Sequence, residues 1–283
     1  MAKEQPPSAD EITEVMRNKH GLDISAFDEN FLVKAFELRR VSSASGTPAN
    51  YLDRLAEDPE EVDVFFHSLT ISYSIFFRSP LVFSTLEQMV LPSVIRRIES
   101  SGQPDLRIWS AGCAAGQEAY SISILLEELN SELDCSISYI VFATDSSETE
   151  LALARKGDYN ADNLKNVRMG HFKKYFKRQG ELYSISASQK KKVHFVPYDL
   201  LDPNTISPSE SIYGDFDLVF CSNVLYYYRP EYQQIIISKL KRSLKNGGYL
   251  VSDKTEHSII ESAGGLVPIF PTSGIFQKPA NRR

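Results

Sequence analysis

The segment RIWSAGCAAGQEAYSISILLEEL, residues 107–129, runs from an apolar stretch through a group of small residues into a helical pattern. This order is typical of the first strand, loop and helix of an open parallel sheet, whose loop lines a ligand crevice beyond the strand ends. Gly112 and Gly116 would let a ligand approach the backbone, and the helix N-terminus would offer N–H groups to a carboxylate or phosphate. A tight turn with close packing is an equally open interpretation of the two glycines.

The rest of the C-terminal part continues this pattern. Further short apolar strands follow, with helical stretches between several of them: SYIVFAT (138–144), VHFVPYD (193–199), FDLVFCS (216–222) and GYLVSDK (248–254). Strands that are apolar on both faces and separated by helices indicate a mostly parallel, helix-covered sheet. Residues 81–283 are therefore predicted to form a Rossmann-like α/β domain.

Two features complete the predicted architecture. YFKRQGELYSIS (175–186) and KKKVHFV (190–196) break the alternation, and they predict short antiparallel strands around a turn at Gly180, within a small β insertion at 160–195. Residues 1–80 carry only helix signals. Ser8 and Glu11 predict a capping box for a helix that stops near Gly21, and Thr47–Pro48 and Asp58–Pro59 each predict another helix start. NFLVKAFELRRV (30–41) reads as a further helix, so an all-α N-terminal domain is expected.

Composition excludes several classes of function. The 283 residues carry a formal net charge of −6, whereas general nucleic-acid binding normally leaves a basic footprint. The three cysteines lack pairing or zinc spacing, which favours a reducing compartment. No secretory segment or apolar run of membrane-spanning length is evident. We expect a cytoplasmic protein with no metal site, no nucleic-acid partner and no membrane insertion.

A carboxylate at the end of the next strand narrows the choice of ligand. Asp145 ends SYIVFATD, where a carboxylate can accept hydrogen bonds from both hydroxyls of a ribose. The alternative is a helix cap, but Ser147 and Glu150 form their own capping pattern and leave Asp145 available. The G-x-G-x-x-G spacing of a dinucleotide site is absent, so S-adenosylmethionine, which has a ribose but no phosphate, fits better than NAD.

Three further stretches extend these signals along the chain: ISYSIFFRSP (71–80), FDLVFCSNVLYYY (216–228) and LKNGGYLVSDKTE (244–256). Together with residues 107–121 and 143–159, they resemble the chemotaxis receptor glutamate methyltransferases of the CheR type in order and spacing over nearly the whole chain. The resemblance implies transfer of a methyl group from S-adenosylmethionine to glutamate side chains on the cytoplasmic helices of chemoreceptors, with S-adenosylhomocysteine as the product.

The resemblance also implies site residues at matching positions. The cofactor-binding set comprises Ser72, Ser74, Arg78, Ala111, Gly112, Gly116, Gln117, Asp145, Asp199, Leu200, Ser222 and Asn223. Asp145 matches the ribose ligand, and Asp199 with Leu200 matches the pair beside the adenine. Gln117 matches a position usually filled by a glutamate that contacts the amino group of the cofactor. The predicted catalytic residues are Arg78, which would orient the incoming carboxylate or gate the pocket, and Tyr227, which lies in the motif near the methyl group.

One departure from the family pattern leaves the identity of the substrate undecided. Ser222 stands where the family usually has an arginine, close to the expected position of the substrate carboxylate, and a hydroxyl cannot replace a guanidinium. Either Arg78 suffices for the glutamate, or the enzyme methylates a different protein, or it binds the cofactor as a catalytically weak regulator. Glu256 matches the usual glutamate of the last stretch.

Overall fold

The computed structural model describes residues 5–69, 73–103, 105–133, 137–211 and 214–280. The chain separates into two compact units, one formed by Met1–Ile71 with Tyr226–Gln233 and the other by Ser72–Leu225 with Gln234–Arg283. We expected the boundary at residue 80. The N-terminal unit includes a short segment that is distant in sequence, and the boundary at residue 80 stays a prediction.

Among its described residues before the second unit, the N-terminal unit contains four helices: α1 (Ala9–His20), α2 (Glu29–Ser42), α3 (Pro48–Glu57) and α4 (Pro59–Leu69). Ser8 forms the predicted capping box with Glu11, and Gly21 ends α1 in the left-handed conformation. Thr47 caps α3 through the backbone N–H of Asn50. Apolar side chains such as Met16 form the core between the helices. The all-α prediction is confirmed. The sequence could predict these helices because each capping signal acts within one helical turn.

A buried ion network joins three of these helices. The carboxylate of Glu61 is almost fully buried and accepts hydrogen bonds from Arg39 Nε at 2.7 Å and Tyr51 Oη at 2.9 Å. Arg54 Nη2 lies 3.0 Å from the other carboxylate oxygen. Burial alone would raise the pKa of Glu61, but these hydrogen bonds and charges bring the pKa below its usual value.

The second unit begins with two helices and the first crossover of the sheet. Its first elements are α5 (Pro80–Thr85), a π-helical turn (Leu86–Val90), α6 (Leu91–Ser101), β1 (Asp105–Ala111), α7 (Gln117–Glu132), β2 (Ser138–Asp145) and α8 (Glu148–Lys156). β1 pairs with β2 in parallel over its whole length, from Asp105↔Ser138 to Ala111↔Thr144. Residues 107–129 are therefore strand, loop and helix, as predicted.

The insertion forms a separate small sheet. It contains β3 (Asp158–Tyr159), α9 (Met169–Tyr175), β4 (Phe176–Gln179), β5 (Leu182–Ile185) and α10 (Ala187–Lys190), with strand order β3-β5-β4. β4 and β5 form the predicted antiparallel hairpin around Gly180, whose φ is +64°. An antiparallel insertion is therefore confirmed.

The remaining elements complete the large sheet. They are β6 (Val193–Pro197), β7 (Phe216–Phe220), α11 (Pro230–Ser243), β8 (Leu244–Val251), α12 (His257–Ser262), β9 (Val267–Pro268) and β10 (Ile275–Gln277). The strand order is β6-β2-β1-β7-β8-β10-β9, and the first five strands are parallel. The predicted Rossmann-like α/β class is confirmed.

Two predictions overlap at residues 193–196: VHFVPYD as a strand of the parallel sheet is confirmed, whereas KKKVHFV as an antiparallel strand of the insertion was wrong. Val193–Pro197 does not pair within the insertion, because β6 lies parallel to β2 in the large sheet with the register Val141↔Val193. As an edge strand, β6 buries Val193 and Val196 but exposes His194. A strand with one polar face resembles an antiparallel strand in sequence, which explains the error.

The sheet order positions the candidate site. Counting outward from β1, the chain continues through β2 and β6 on one side and returns through β7 and β8 on the other, so the order reverses at β1. Ligands of open α/β sheets bind at such a switch point, beyond the carboxyl ends of the strands. Ala111, Asp145 and Phe220 end adjacent strands, so the loops that follow them are brought together. Within the described ranges, no helix has the length and apolarity needed to span a bilayer.

Candidate active site

The loop between β1 and α7 is shaped by residues with positive φ. Gly112, Ala114 and Gly116 have φ of +75°, +47° and +87°. The N–H groups of Gly112 and Cys113 both donate to the Thr144 carbonyl, at 2.8 and 2.9 Å, which bends the chain away from β1 at its end. The loop therefore turns sharply across the end of β2.

Close packing accounts for both glycines. A Cβ atom on Gly112 would lie 2.6 Å from Val224 Cγ2, and one on Gly116 would lie 2.9 Å from the Phe195 ring. Such distances cannot be accommodated without movement of the neighbouring side chains. The small residues are thus explained by their protein neighbours, and a ligand role for this loop depends on its polar groups.

Asp145 connects the ends of β1 and β2. Its Oδ2 accepts from the Ala114 N–H at 2.9 Å, and its Oδ1 accepts from the Ser147 N–H at 3.0 Å. Ser147 Oγ caps α8 by accepting from the N–H of Glu150, as the sequence predicts. Burial raises the pKa of Asp145, and backbone donors that include Ser147 and Ala114 oppose that rise. A carboxylate has about four acceptor positions, so these bonds leave capacity for ribose hydroxyls.

The start of α7 contains an unsatisfied polar group. Gln117 is 4% exposed, and within the described residues its Oε1 is buried without a hydrogen-bond partner. No side chain caps the N-terminus of this 16-residue helix in the described structure. An unpaired buried oxygen costs about 1–3 kcal/mol, which a donor from a bound ligand would recover. An ammonium group fits the Gln117 oxygen, and a carboxylate fits the helix N-terminus.

Glu118 is a site residue that the sequence analysis missed. Its Oε1 accepts from Ser110 Oγ at 2.7 Å, and the Ser222 hydroxyl also donates to this carboxyl. Burial raises the pKa of Glu118 to about 7; the two hydroxyls and the charge of Arg78 oppose the rise, and the charge of Glu256 adds to it. Only its place in the first turn of a helix was visible in the sequence, and that place has an ordinary explanation as a favourable dipole contact.

The segment before α5 is fastened to both the insertion and α7. Asn163 Nδ2 donates to the Ser74 carbonyl at 3.1 Å, and the Asn163 carbonyl accepts from the Phe76 N–H at 2.9 Å. The Phe77 N–H donates to Ser121 Oγ on α7 at 2.9 Å. Phe77 has a φ of +51°, so these bonds hold a conformation that a phenylalanine rarely adopts. Ser72, the first predicted residue of this segment, lies outside the described residues.

Arg78 lies within electrostatic reach of the site. Its Nη1 donates to the Tyr73 carbonyl at 2.8 Å, and its guanidinium lies 5.8 Å from the centre of the Tyr73 ring. Its charge lowers the pKa of Glu118 and also that of Asp253, which follows β8. The structure therefore brings Arg78 close to the ends of β1 and β8, where a negatively charged substrate group would be attracted.

The loop after β7 is held by one buried carboxylate. Glu256 accepts from the N–H groups of Asn223 at 2.8 Å, Val224 at 2.8 Å and Leu225 at 2.7 Å, and from Ser252 Oγ at 2.6 Å. Asn223 has a φ of +62°, so the carboxylate stabilises a strained turn. Burial raises the pKa of Glu256, against these four donors. Glu256 therefore positions the predicted residue Asn223 through its backbone.

Asp199 and Leu200 lie in the loop after β6. The N–H of Tyr198 donates to the Asp145 carbonyl at 3.0 Å, which places this loop beside the end of β2. Asp199 is exposed and accepts from the Leu201 N–H at 2.8 Å, whereas Leu200 is buried. The apolar side chain of Leu200 is compatible with contact to one face of an adenine. The exposed carboxylate of Asp199 is compatible with contact to one edge.

Tyr227 packs within the other unit. Its ring centre lies 4.9 Å from that of Phe31 and 4.2 Å from that of Tyr226, and its carbonyl accepts from the Asp28 N–H at 2.8 Å. These contacts account for its position by packing in the N-terminal unit. Its catalytic role stays a prediction.

The chain was compared with protein families and with characterised proteins. The model of the CheR methyltransferase SAM-binding domain matches residues 72–261. A chemotaxis protein methyltransferase from Listeria innocua is 28% identical over 258 residues, 91% of this chain and 93% of the relative. Chemotaxis protein methyltransferase 1 from Pseudomonas aeruginosa is 32% identical over 195 residues, 67% of each chain.

Another relative is named for biofilm formation rather than chemotaxis. The probable biofilm formation methyltransferase WspC of Pseudomonas aeruginosa is 29% identical over 276 residues, 95% of this chain and 61% of the relative. The predictions of the family, the enzyme class and the cofactor are confirmed by these matches. The described residues also fit that cofactor through the Gln117 oxygen, the open N-terminus of α7 and the carboxylate of Asp145. The family model matches two thirds of the length of the chain, and the candidate site lies at the switch point of the sheet. The chain therefore belongs to the CheR methyltransferase family.

Proposed function

We propose that this protein transfers the methyl group of S-adenosylmethionine to glutamate side chains on the cytoplasmic helices of a chemoreceptor. The observation that carries the proposal is the unsatisfied Gln117 oxygen at the open N-terminus of α7, after a loop whose Ala114 N–H donates to the Asp145 carboxylate. These groups match the amino-acid end and the ribose of one cofactor. Family membership supports the reaction class. The substrate would place the enzyme in the cytoplasm.

Each part of the cofactor has a candidate partner in this chain. Asp145 would accept from the ribose hydroxyls, and Leu200 would contact the adenine. Gln117 Oε1 would accept from the ammonium group, while the first N–H groups of α7 would receive the carboxylate. Bound there, S-adenosylmethionine supplies a methyl group activated by its positively charged sulfur. Ser72, Ser74, Ala111, Gly112, Gly116 and Asn223 would complete the cofactor contacts.

The proposed reaction needs no general base. A glutamate side chain has an ordinary pKa of about 4.3, so at neutral pH its carboxylate is already the nucleophile. A carboxylate oxygen forms a bond to the methyl carbon while the bond from that carbon to sulfur breaks, and the electron pair remains on sulfur. The chain contributes by holding the carboxylate in line and excluding water. Arg78 would orient the carboxylate, and Tyr227 would point its hydroxyl at the reacting centre.

The surroundings of Ser222 favour a second candidate. Its hydroxyl is committed to Glu118 and offers no charge to an incoming carboxylate. A methyltransferase that acts on a different protein would meet this condition, and a WspC-like role is compatible with the match over 95% of this chain. A cofactor-binding regulator with weak turnover would also tolerate Ser222.

Incubation with S-adenosylmethionine labelled on its methyl group and receptor cytoplasmic fragments tests the proposal. Label on glutamate that is released as methanol by mild alkali is the expected result. Label on another protein in an extract, or label stable to alkali, would support the second candidate. Tight cofactor binding without transfer to any protein would indicate a regulator. A matched reaction with Asp145→Ala reports whether transfer depends on the proposed site.

A further inference from the structure

The residues on both sides of Arg78 have backbone conformations that side chains disfavour. Phe77 and Ser79 have φ of +51° and +59°, in the left-handed region that residues other than glycine rarely occupy. Such conformations cost free energy, and they persist only where the surrounding structure holds them. Two strained residues therefore enclose Arg78, and contacts from other elements must hold each of them in place.

Phe77 is fastened through both of its backbone polar groups. Its N–H donates to Ser121 Oγ on α7 at 2.9 Å, and its carbonyl accepts from Asn166 Nδ2 in the insertion at 3.2 Å. Its ring is buried against Phe83 on α5, with the two ring centres 5.1 Å apart. The peptide group that leads into Arg78 is therefore fixed by α7 and by the insertion together.

Ser79 is held by a carboxylate from the last part of the sheet. Its hydroxyl donates to Asp253 Oδ2, which is 174 residues away in the sequence. Ser79 occupies the N-cap position of α5, where a serine oxygen usually accepts from the first backbone N–H groups of the helix. In the described structure its side chain does not cap α5. The hydroxyl is therefore used to reach Asp253 and not to stabilise its own helix.

Asp253 is itself firmly placed after β8. Its Oδ1 accepts from the Thr255 N–H at 3.0 Å and from the Thr255 hydroxyl at 2.9 Å, which caps the 3-10 turn Lys254–Glu256. Burial would raise the pKa of Asp253, but hydrogen bonds from Ser79 and Thr255 and the charge of Arg78 bring the pKa below its usual value. Asp253 is therefore ionised near neutral pH, and it attracts Arg78 while it binds the next residue.

The side chain of Arg78 does not fix its own position. Its Nη1 donates to the Tyr73 carbonyl at 2.8 Å, and its guanidinium lies 5.8 Å from the centre of the Tyr73 ring. Tyr73 belongs to the same segment and is 61% exposed, so this contact does not tie the guanidinium to the sheet. The place of the guanidinium beside the strand ends therefore depends on the backbone at Phe77 and Ser79.

We propose that Asp253 is a positioning residue for Arg78 and that it acts through the hydroxyl of Ser79. The inference rests on the proposed function, in which Arg78 orients the carboxylate that receives the methyl group. With the hydrogen bond in place, Ser79 stays in the left-handed region and the guanidinium stays at the strand ends. Without it, the segment relaxes and the guanidinium moves. A displacement of about 1 Å from the productive geometry can lower a rate by about a hundredfold.

Methyl transfer by single and double variants tests the proposal. Ser79→Ala and Asp253→Ala each remove one partner of the hydrogen bond, and each is expected to lower kcat/KM for a receptor fragment by about tenfold. Affinity for S-adenosylhomocysteine should change little. The double variant should lose no more than the weaker of the two single variants, because both changes remove the same contact. Ser84→Ala, also in α5, is the matched control and should behave as the wild type.

The Arg78→Met background separates positioning from a general structural role. If Ser79 acts through the guanidinium, adding Ser79→Ala to Arg78→Met has no further effect on transfer. A contact that only stabilised the fold would lower transfer in both backgrounds. Ser79→Asn keeps a hydrogen-bond donor and tolerates a positive φ, so it should retain most of the wild-type rate. Thermal melting confirms that each variant is folded, and Ser79→Ala decides the test if Asp253→Ala does not fold.

Hydrogen exchange gives a readout that does not depend on transfer. The amide hydrogens of residues 75–79 should exchange faster in Ser79→Ala than in the wild type, because the segment opens more often without its contact to Asp253. Ser84→Ala should leave this exchange unchanged.

The outcomes separate the two proposals. Wild-type kcat/KM in Ser79→Ala, unchanged exchange at residues 75–79, or a further loss when Ser79→Ala is added to Arg78→Met would overturn the positioning role. None of these results would affect the proposed methyl transfer. Absence of transfer by the wild-type protein to every receptor fragment would instead overturn the proposed function, and the role of Asp253 in that reaction with it.

Discussion

Asp145 and Ala114 are joined by a hydrogen bond of 2.9 Å from the Ala114 N–H to Asp145 Oδ2. One carboxylate at the end of β2 therefore orders the loop that leaves β1. Its remaining lone pairs can still accept hydrogen bonds from the ligand predicted for it. A single side chain shapes the loop and is available to bind.

Replacement of Asp145 is expected to reduce cofactor affinity more than stability. Asp145→Ala would remove a charged acceptor whose hydrogen bonds contribute about 1.5–3 kcal/mol each, so binding of S-adenosylhomocysteine should weaken by at least about tenfold. Calorimetric titration measures this loss. Asp162→Ala, an exposed aspartate in the insertion, is the control. Unchanged affinity in Asp145→Ala would contradict the ribose assignment.

Gly112 is predicted to tolerate no side chain. Gly112→Ala would force a left-handed alanine and place its Cβ 2.6 Å from Val224 Cγ2. We expect a loss of about 1–3 kcal/mol in the free energy of unfolding. Adding Val224→Ala should recover the part of the lost free energy of unfolding that the clash causes. The part that the positive φ causes should remain lost. Gly170→Ala, where the new methyl group meets open space, is the matched control in denaturant titrations. Equal stability of the two glycine variants would refute this explanation.

Glu256 is predicted to be essential for the loop after β7. Glu256→Gln would direct an NH₂ group at backbone N–H groups that now share a carboxylate, leaving buried donors unpaired at a cost of roughly 2–3 kcal/mol. The free energy of unfolding should fall, and methyl transfer should fall with it because Asn223 loses its support. Glu261→Gln, an exposed residue of α12, serves as the comparison. If Glu256→Gln were as stable as the wild type, the loop after β7 would not depend on the Glu256 carboxylate.

Glu61 gives the N-terminal unit a pH dependence with a definite sign. Its pKa in the folded state is lowered from the ordinary value of 4.5, so the stabilisation is complete above that pH and is lost as the pH falls through the folded-state value. Glu61→Gln leaves Arg39 and Arg54 without their shared carboxylate, and we expect a loss of about 3 kcal/mol at pH 7. Denaturant titrations at pH 7 and pH 4 test both points. Glu60→Gln, an exposed neighbour, should behave as wild type.

Arg78 is expected to act on the substrate rather than the cofactor. Arg78→Met should lower kcat/KM for a receptor fragment by about a hundredfold, since a charge-assisted contact to the carboxylate is lost. Affinity for S-adenosylhomocysteine should change much less. Radiolabel transfer and calorimetry provide the two readouts. A large loss of product affinity with unchanged transfer at saturating cofactor would reverse this assignment.

The sequence predicted that Gly112, Gln117 and Asp145 lie at the ends of a strand or helix, and the structure has them there. It left open whether a ligand or close packing explains the glycines, because their packing partners Val224 and Phe195 come from distant parts of the chain. Glu118 was missed for the same cause, since its partner Ser110 lies near the end of β1 and its partner Ser222 lies just after β7.

The sequence alone determined where helices start and stop, where apolar strands occur and which family the chain resembles, because capping boxes, proline positions and alternation act over a few neighbouring residues. Only the tertiary structure decided that β6 pairs with β2 rather than within the insertion, that Glu256 holds the loop after β7 and that the Glu118 carboxyl meets the hydroxyls of Ser110 and Ser222. Burial, hydrogen bonding and charge depend on residues that meet through space, and the order of strands in the sheet selects which residues meet.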